Sequence, residues 1–342
     1  MRILLFSSII LLFSCSGNDE LTENQPKEEL QPGSAMKGVY VAGSENKQAC
    51  YWKDNEKVIL NDGNNMLATK IFVSDHHSYV IGSSSGDGAA YIWQDNIKKK
   101  LSDYYNLPAS NKVYFKGAHL YNNDFYLLGM IHNPDEPTAN KYEVCYWKNG
   151  IKTSLIKLDS PQKIMTRNIT VRNNDVYVAV SMTQQYTWNI LDNGYFKNGQ
   201  YTSLNKPGYY LSGVYGDDNN LKLMYRNDVA CTINTIDLLN NSSFIQGISN
   251  PFKMFFNNGN SYVQGLSDVW KNNTKIHASY DGGYYYNIMD FELNKAGTDS
   301  YIIKGYATAN PSYTAIFKNN VELKRMTYTI DVGDMFDIFV KD

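Results

Sequence analysis

The chain has 342 residues, with 32 basic and 34 acidic side chains and a net charge of −2 at neutral pH. A balance this close to neutral gives no global attraction for nucleic acid or for an anionic lipid surface, which excludes a polybasic binding role. Five histidines and four cysteines leave little material for a metal centre or a disulfide framework.

The N-terminus reads as an export signal. Arg2 is a positive n-region and Ile3 to Phe13 is an apolar run, too short to span a bilayer. The run ends in Leu12-Phe13-Ser14-Cys15, which resembles a bacterial lipobox. The resemblance implies that residues 1–14 are removed and that Cys15 carries the lipid at the mature N-terminus. Phe13 departs from the pattern, since that position is usually small, and an ordinary secretory signal is the other reading. Residues 15–36 hold Asp19, Glu20, Glu23, Glu28 and Glu29 against Lys27 alone, so this segment is expected to be a disordered acidic tether. Its start, Ser16-Gly17-Asn18-Asp19-Glu20, resembles the acidic export tag of Bacteroidetes surface lipoproteins; a plain acidic linker fits equally well.

From residue 37 to 342 the chain repeats itself. A Tyr-rich strand ending in Gly is followed by an aromatic-Lys-Asn turn: VYVAG (39–43) then CYWKDN (50–55), YVIG (79–82) then YIWQDN (91–96), FYLLG (125–129) then CYWKNG (145–150), and VYVAV (176–180) then GYFKNG (194–199). Three weaker copies follow, at 221–234, 261–273 and 301–320. The strand aromatic or its equivalent falls at Tyr40, Tyr79, Tyr126, Tyr177, Leu223, Tyr262 and Tyr301, at intervals of 39 to 51 residues. Short strands repeating at this period predict an all-β fold, a β-propeller of four-stranded blades. Seven blades is the expected number, with six or eight as neighbouring counts because the fifth copy is degenerate.

Each copy has one grammar. A first strand such as Lys70 to Val73 leads through a polar turn to the Tyr-x-x-Gly strand, then a loop, a third strand, an Asn-Gly-type turn and a short fourth strand. The first copy begins at its second strand, whereas the chain ends in an extra hairpin, Tyr328 to Val332 and Phe336 to Val340 about a Gly333-Asp334 turn. A C-terminal strand is therefore expected to complete the first blade and close the ring. Cys50, Cys145 and Cys231 fall on third strands of different blades, so they are expected to be buried free thiols. Trp52, Trp93, Trp147 and Trp270, with Phe196 and Phe317, recur at one blade position and are expected to pack between blades.

The chain lacks the Gly-Gly doublet of kelch repeats and the Trp-Asp ending of WD repeats. It resembles the YWKNG-repeat propellers of Bacteroidetes lipoproteins from about residue 37 to its end. That resemblance implies fold and an outer-membrane, lipid-anchored location more than an activity.

The chemistry-bearing candidates are aromatic. The loop between second and third strands shares a face with the connector to the next blade. Two such loops are long, 131–142 and 181–193, and the connectors carry Tyr104-Tyr105, Tyr209-Tyr210 and Tyr284-Tyr285-Tyr286. Tyr105, His132, Tyr186, Trp188, Tyr209, Tyr210, Tyr284 and Tyr285 are thus the candidate ligand contacts, on one face around the channel mouth, suited to stacking on a glycan or clasping a peptide. The bland alternative is that half of each tyrosine pair seals neighbouring sheets. Asp75-His76-His77 reads as a solvated turn before a metal site, and Asp217-Asp218 and Asp334 read as turn residues before calcium ligands. Ser279 to Tyr286 resembles one Asp-box of sialidase propellers, but it occurs once and no arginine triad accompanies it. No nucleophile triad, phosphate loop or HExxH pattern is present. The expectation is a monomeric, non-catalytic binding propeller without cofactor, metal or nucleic-acid partner. A glycan-degrading enzyme with paired carboxylates at the channel mouth, or a scaffold subunit of an outer-membrane complex, remain alternatives.

Overall fold

The computed structural model describes residues 36–84, 89–184, 189–205, 210–227, 232–238, 243–246, 251–278, 280–281, 284–306, 309, 311–327 and 333–342. The signal segment, Cys15, Tyr186, Trp188, Tyr209 and Cys231 lie outside the described residues. The described residues belong to one compact unit, Ala35–Asp342.

Among the described residues the strands form seven four-stranded antiparallel sheets and one two-stranded ribbon. Six sheets are meanders in chain order; the second, for example, is Met66–Val73, Ser78–Ser84, Ala90–Gln94 and Ile97–Lys100. The first strands of the third to seventh sheets are Lys112–Tyr121, Ile164–Arg172, Tyr210–Gly216, Pro251–Asn257 and Asn287–Leu293. The sheets are the blades of a β-propeller, and their first strands line its central channel.

The first blade is built from both ends of the domain. Gly38–Glu45, Gln48–Lys53 and Glu56–Asn64 supply three strands, and Gly333–Lys341 pairs antiparallel with Gly38–Glu45 as the innermost strand. The Gly333-Asp334 pair, expected to be a hairpin turn, opens this strand instead, with Asp334 opposite Ser44. Residues 328–332, expected to be the other arm of the hairpin, lie outside the described residues.

The repeat motif follows from packing at one corner of each blade. In three blades the third-strand indole lies over the second-strand glycine. A Cβ on Gly43, Gly82 or Gly129 would stand 2.8, 2.9 or 2.9 Å from Cζ3 of Trp52, Trp93 or Trp147. All three indoles are buried. The fourth blade, which has Val180 in place of the glycine, has the smaller Phe196 in place of tryptophan. At Gly43 and Gly82 the same Cβ would also meet the innermost-strand carbonyls of Asp334 and Leu67 at 2.3 and 2.2 Å, so the indole and the neighbouring strand together exclude a side chain there.

The Lys-Asn ending forms a unit of its own. In six blades an Asp or Asn at the turn, Asp54, Asp95, Asn149, Asn198, Asn272 or Asn319, adopts positive φ between 43° and 50°. Its side-chain oxygen accepts the N–H of the residue before the repeat tyrosine at 2.8–2.9 Å. Its own N–H returns to that residue's carbonyl at 2.9–3.0 Å. Short Asx side chains tolerate this left-handed geometry and satisfy the strand's first donor, which explains their recurrence. The preceding lysine lies across the ladder from the tyrosine. Lys53, Lys148, Lys197, Lys271 and Lys318 sit 5.5–5.8 Å from the ring centres of Tyr40, Tyr126, Tyr177, Tyr262 and Tyr301. These lysines are structural and do not form a basic patch.

Gly129→Ala is expected to destabilise the domain by about 1–3 kcal/mol through overpacking against Trp147 and Val113. Adding Trp147→Phe, which copies the fourth blade, should recover part of that loss. Urea unfolding of the two single variants and the double variant measures the coupling; strict additivity would mean that the indole does not dictate the glycine.

Candidate functional site

Every first strand slips register by one or two residues where it meets its second strand. The slips fall at Ala68/Lys70, Phe115/Gly117, Thr166/Ile169, Leu211/Gly213, Pro251/Lys253 and Ile288/Asp290, and at Ala42/Gly43 opposite the C-terminal strand. Such bulges re-aim side chains. Just beyond them, toward the C-terminal halves of the strands, the ring encloses a cavity of about 510 Å³.

The cavity has an apolar arc and a charged arc. Phe72, Phe115, Phe252, Phe255 and Phe339 contribute rings. On the charged side, Lys253 Nζ bonds Asp290 at 2.7 Å, Glu292 at 2.6 Å and the Phe291 carbonyl at 3.1 Å. Lys70 pairs with Asp337. The same carboxylates also reach the main chain of the neighbouring blade. Asp337 accepts the Ile71 N–H at 2.9 Å and Asp290 accepts the Ile338 N–H at 2.8 Å. Asn168 performs the uncharged version, accepting the Val214 N–H at 2.9 Å while donating to the Val214 carbonyl at 2.6 Å.

These contacts set the protonation states. Burial pushes the Asp337 carboxyl up to about 6, against the pull of Lys70, and burial also raises Glu292. Burial opposes the charge on Asp290, but Lys253 and Lys70 hold its carboxyl below the usual range. Burial likewise opposes the charge on Lys253, yet the three carboxylates prevail and raise it. His119, on the wall of the third blade, is pushed down to about 4 by desolvation and is neutral at physiological pH.

The candidate aromatics divide. The connectors and second-to-third loops do share one end of the ring, as an up-and-down meander requires. Tyr105, expected at the rim, is a core residue, with its ring stacked 4.2 Å from Trp147. The helical turn Leu101–Tyr104 directs the connector inward, and covering apolar surface between the second and third blades favours that placement. His132 ends a strand, Asp124–His132, where it stacks on Tyr142 at 4.7 Å. Tyr210 begins a first strand and Tyr284–Tyr285 forms half of the two-stranded ribbon. Tyr286 is buried and continues through Tyr306 to Tyr313, over which Arg325 lies at 4.1 Å.

The turn readings at Asp75-His76-His77 and at Asp217-Asp218 hold, whereas Asp334 lies in the closing strand. Asp75 pairs with Lys341 and Asn123, His77 with Asp95, and Asp217 accepts the N–H groups of Asn219 and Asn220. No cluster of potential metal ligands occurs among the described residues. Cys50 and Cys145 are buried and free, and burial pushes the Cys50 thiol up to about 12.

The channel residues were not singled out from sequence. A signal existed in four of the innermost strands: an apolar run broken by one or two polar residues, as in TKIFV (69–73), FKMFF (252–256), MDFEL (289–293) and MFDIFV (335–340).

The chain matches no protein-family model and no curated protein. Solved structures share the fold. A quinonprotein alcohol dehydrogenase-like protein from Bacteroides thetaiotaomicron aligns with a TM-score of 0.53 at 11% identity, over 90% of this chain and 79% of that one. An oligogalacturonate lyase in complex with manganese aligns at 0.54 and 11%, over 79% and 82%. A prolyl endopeptidase aligns at 0.51 and 9% over 90% of this chain, which spans about half (51%) of that protein's length. At such identities the likeness is one of fold alone.

Asp290→Ala is expected to cost about 1–3 kcal/mol, since it leaves the Ile338 N–H without its acceptor and Lys253 with Glu292 as its remaining carboxylate partner. Asp290→Asn, which keeps one acceptor, should cost less. Equal losses in chemical unfolding would show that the carboxylate charge carries no part of the contact.

Proposed function

We propose that the protein is a non-catalytic binding propeller, held at the outer membrane by a lipid on Cys15, whose ligand is an uncharged glycan or peptide seated in the channel cavity. The observation that carries this reading is the cavity itself. It is ligand-sized, walled by phenylalanines, and its described carboxylates are already engaged by lysines and main-chain N–H groups. A charged ligand would compete with those pairs. A ligand with one flat apolar face can stack on the rings without disturbing them. His132, Tyr210 and the Tyr284–Tyr285 ribbon strand belong to the connector end, opposite the turn end toward which this cavity lies, and are not part of the proposed site.

A second reading has its own support. Burial raises both Asp337 and Glu292, so a carboxyl able to hold a proton near neutral pH faces the cavity. That is the property of a general acid in glycan cleavage. Engagement of Asp337 by Lys70 and Ile71 favours the binding role over this one.

A glycan array and a peptide panel on the purified domain test the first reading. Phe252 is 43% exposed on the cavity wall, so Phe252→Ala should weaken a captured ligand by about five- to tenfold and leave the melting temperature nearly unchanged. Release of shortened glycan from the wild type, lost in Glu292→Gln, would favour the enzyme instead.

The anchor is checked separately. Cells labelled with a palmitate analogue should tag the wild type and not Cys15→Ala; equal labelling would remove the lipid from the proposal.

A further inference from the structure

The second blade is the one place where a strong copy of the repeat loses its lysine. Tyr79 faces Gln94 across the ladder, where five other blades place a lysine opposite the tyrosine. Gln94 does not take over that role, because its side-chain oxygen accepts the Tyr104 hydroxyl at 2.9 Å. A cavity of about 310 Å³ lies here between the second and third blades, with turn residues at its rim.

Its walls are aromatic. Tyr79 and Phe125 stack at 4.3 Å with planes 2° apart, and Tyr104 meets Tyr105 edge-on at 5.0 Å. The polar side chains are committed elsewhere. His77 is bonded to Asp95 at 2.6 Å, Asn123 to Asp75 at 2.7 Å, and Asn149 to the Phe125 N–H at 2.9 Å. An occupant must therefore be held by ring faces more than by hydrogen bonds. Three carboxylates are reached through lining residues: Asp95 through His77, Asp75 through Asn123 and Asp124 through Asn149; Asp75 and Asp124 are also paired with Lys341 and Lys148.

We propose that this cavity binds an organic ammonium group, which takes the place that the repeat lysine occupies in the other blades. Negative ring faces attract such a cation, and several rings around one cavity are the arrangement that recognises alkylated ammonium. A choline-type head group and the side chain of a lysine share this chemistry. The site is separate from the channel and stands whether or not the channel binds a glycan or peptide.

Calorimetric titration of the full chain tests it, with choline chloride, Nα-acetyl-lysinamide and the neutral choline isostere 3,3-dimethylbutan-1-ol as probes. At least one ammonium should bind saturably, and the isostere at least about tenfold more weakly. Tighter choline binding assigns the site to quaternary head groups, and tighter lysinamide binding to lysine side chains. Gln94→Lys, which restores the repeat residue, should weaken ammonium binding by a similar factor, while Phe252→Ala in the channel should not change it. Absence of saturable binding, equal binding of the isostere, or full binding by a folded Gln94→Lys variant would overturn the proposal. The comparison of cation with isostere needs only the wild type, so it decides the matter even if Gln94→Lys folds poorly.

Discussion

Closure of the ring by Gly333–Lys341 is the constraint on which the rest of the structure depends. A meander leaves a row of unpaired N–H and C=O groups at each edge, and a ring of blades solves this only if its last blade finds its first. This strand does so twice. Its main chain completes the sheet of Gly38–Glu45, and its side chains and N–H groups reach both flanking blades. Asp337 holds the second blade at Ile71, while Asp290 of the seventh blade holds Ile338. The two lysines that balance these carboxylates belong to the second and sixth blades, so one charged network ties four consecutive blades together. The turn face adds a parallel set of contacts, from Asn258 to the Ala296 carbonyl and from Lys341 to Asp75 and on to Asn123.

The same economy governs each blade. Few residues carry the repeat, and each has a separate physical task. Tryptophan fills the space between sheets, glycine makes room for it, Asx caps the strand, and lysine covers the tyrosine. Where one of these changes, its partner changes too, as Val180 and Phe196 show. Where the lysine is missing, at Gln94, the tyrosine acquires a neighbouring cavity instead.

The centre of the ring differs in kind from its blades. Seven strands converge there, and apolar side chains alone cannot satisfy bulged main chain facing a channel. Polar groups are brought in to do so, and each carboxylate arrives with a cation. The outcome is a cavity that combines aromatic walls with compensated charge. In the binding role proposed above that combination suits a neutral ligand; in the fold, Asp290 and Asp337 join neighbouring blades.

The sequence by itself determined the blade grammar and the joining of the chain ends. Both are written in local patterns: the spacing of Tyr40, Tyr79, Tyr126 and Tyr177, the Asn-Gly turns, and a first copy that lacks its first strand. Periodicity also assigned Trp52, Trp93 and Trp147 to the core, because a large aromatic recurring at one place in most blades serves a contact that those blades share. Individual aromatics and charges were decided only by the tertiary structure. Tyr105 sits in a connector that reads as exposed, yet a single helical turn at Leu101–Tyr104 carries its ring onto Trp147. Lys70 and Asp337 are separated by nearly the whole chain and meet because the ring closes. No spacing in the sequence announces such a pair, since its distance is set by curvature accumulated over every blade between them.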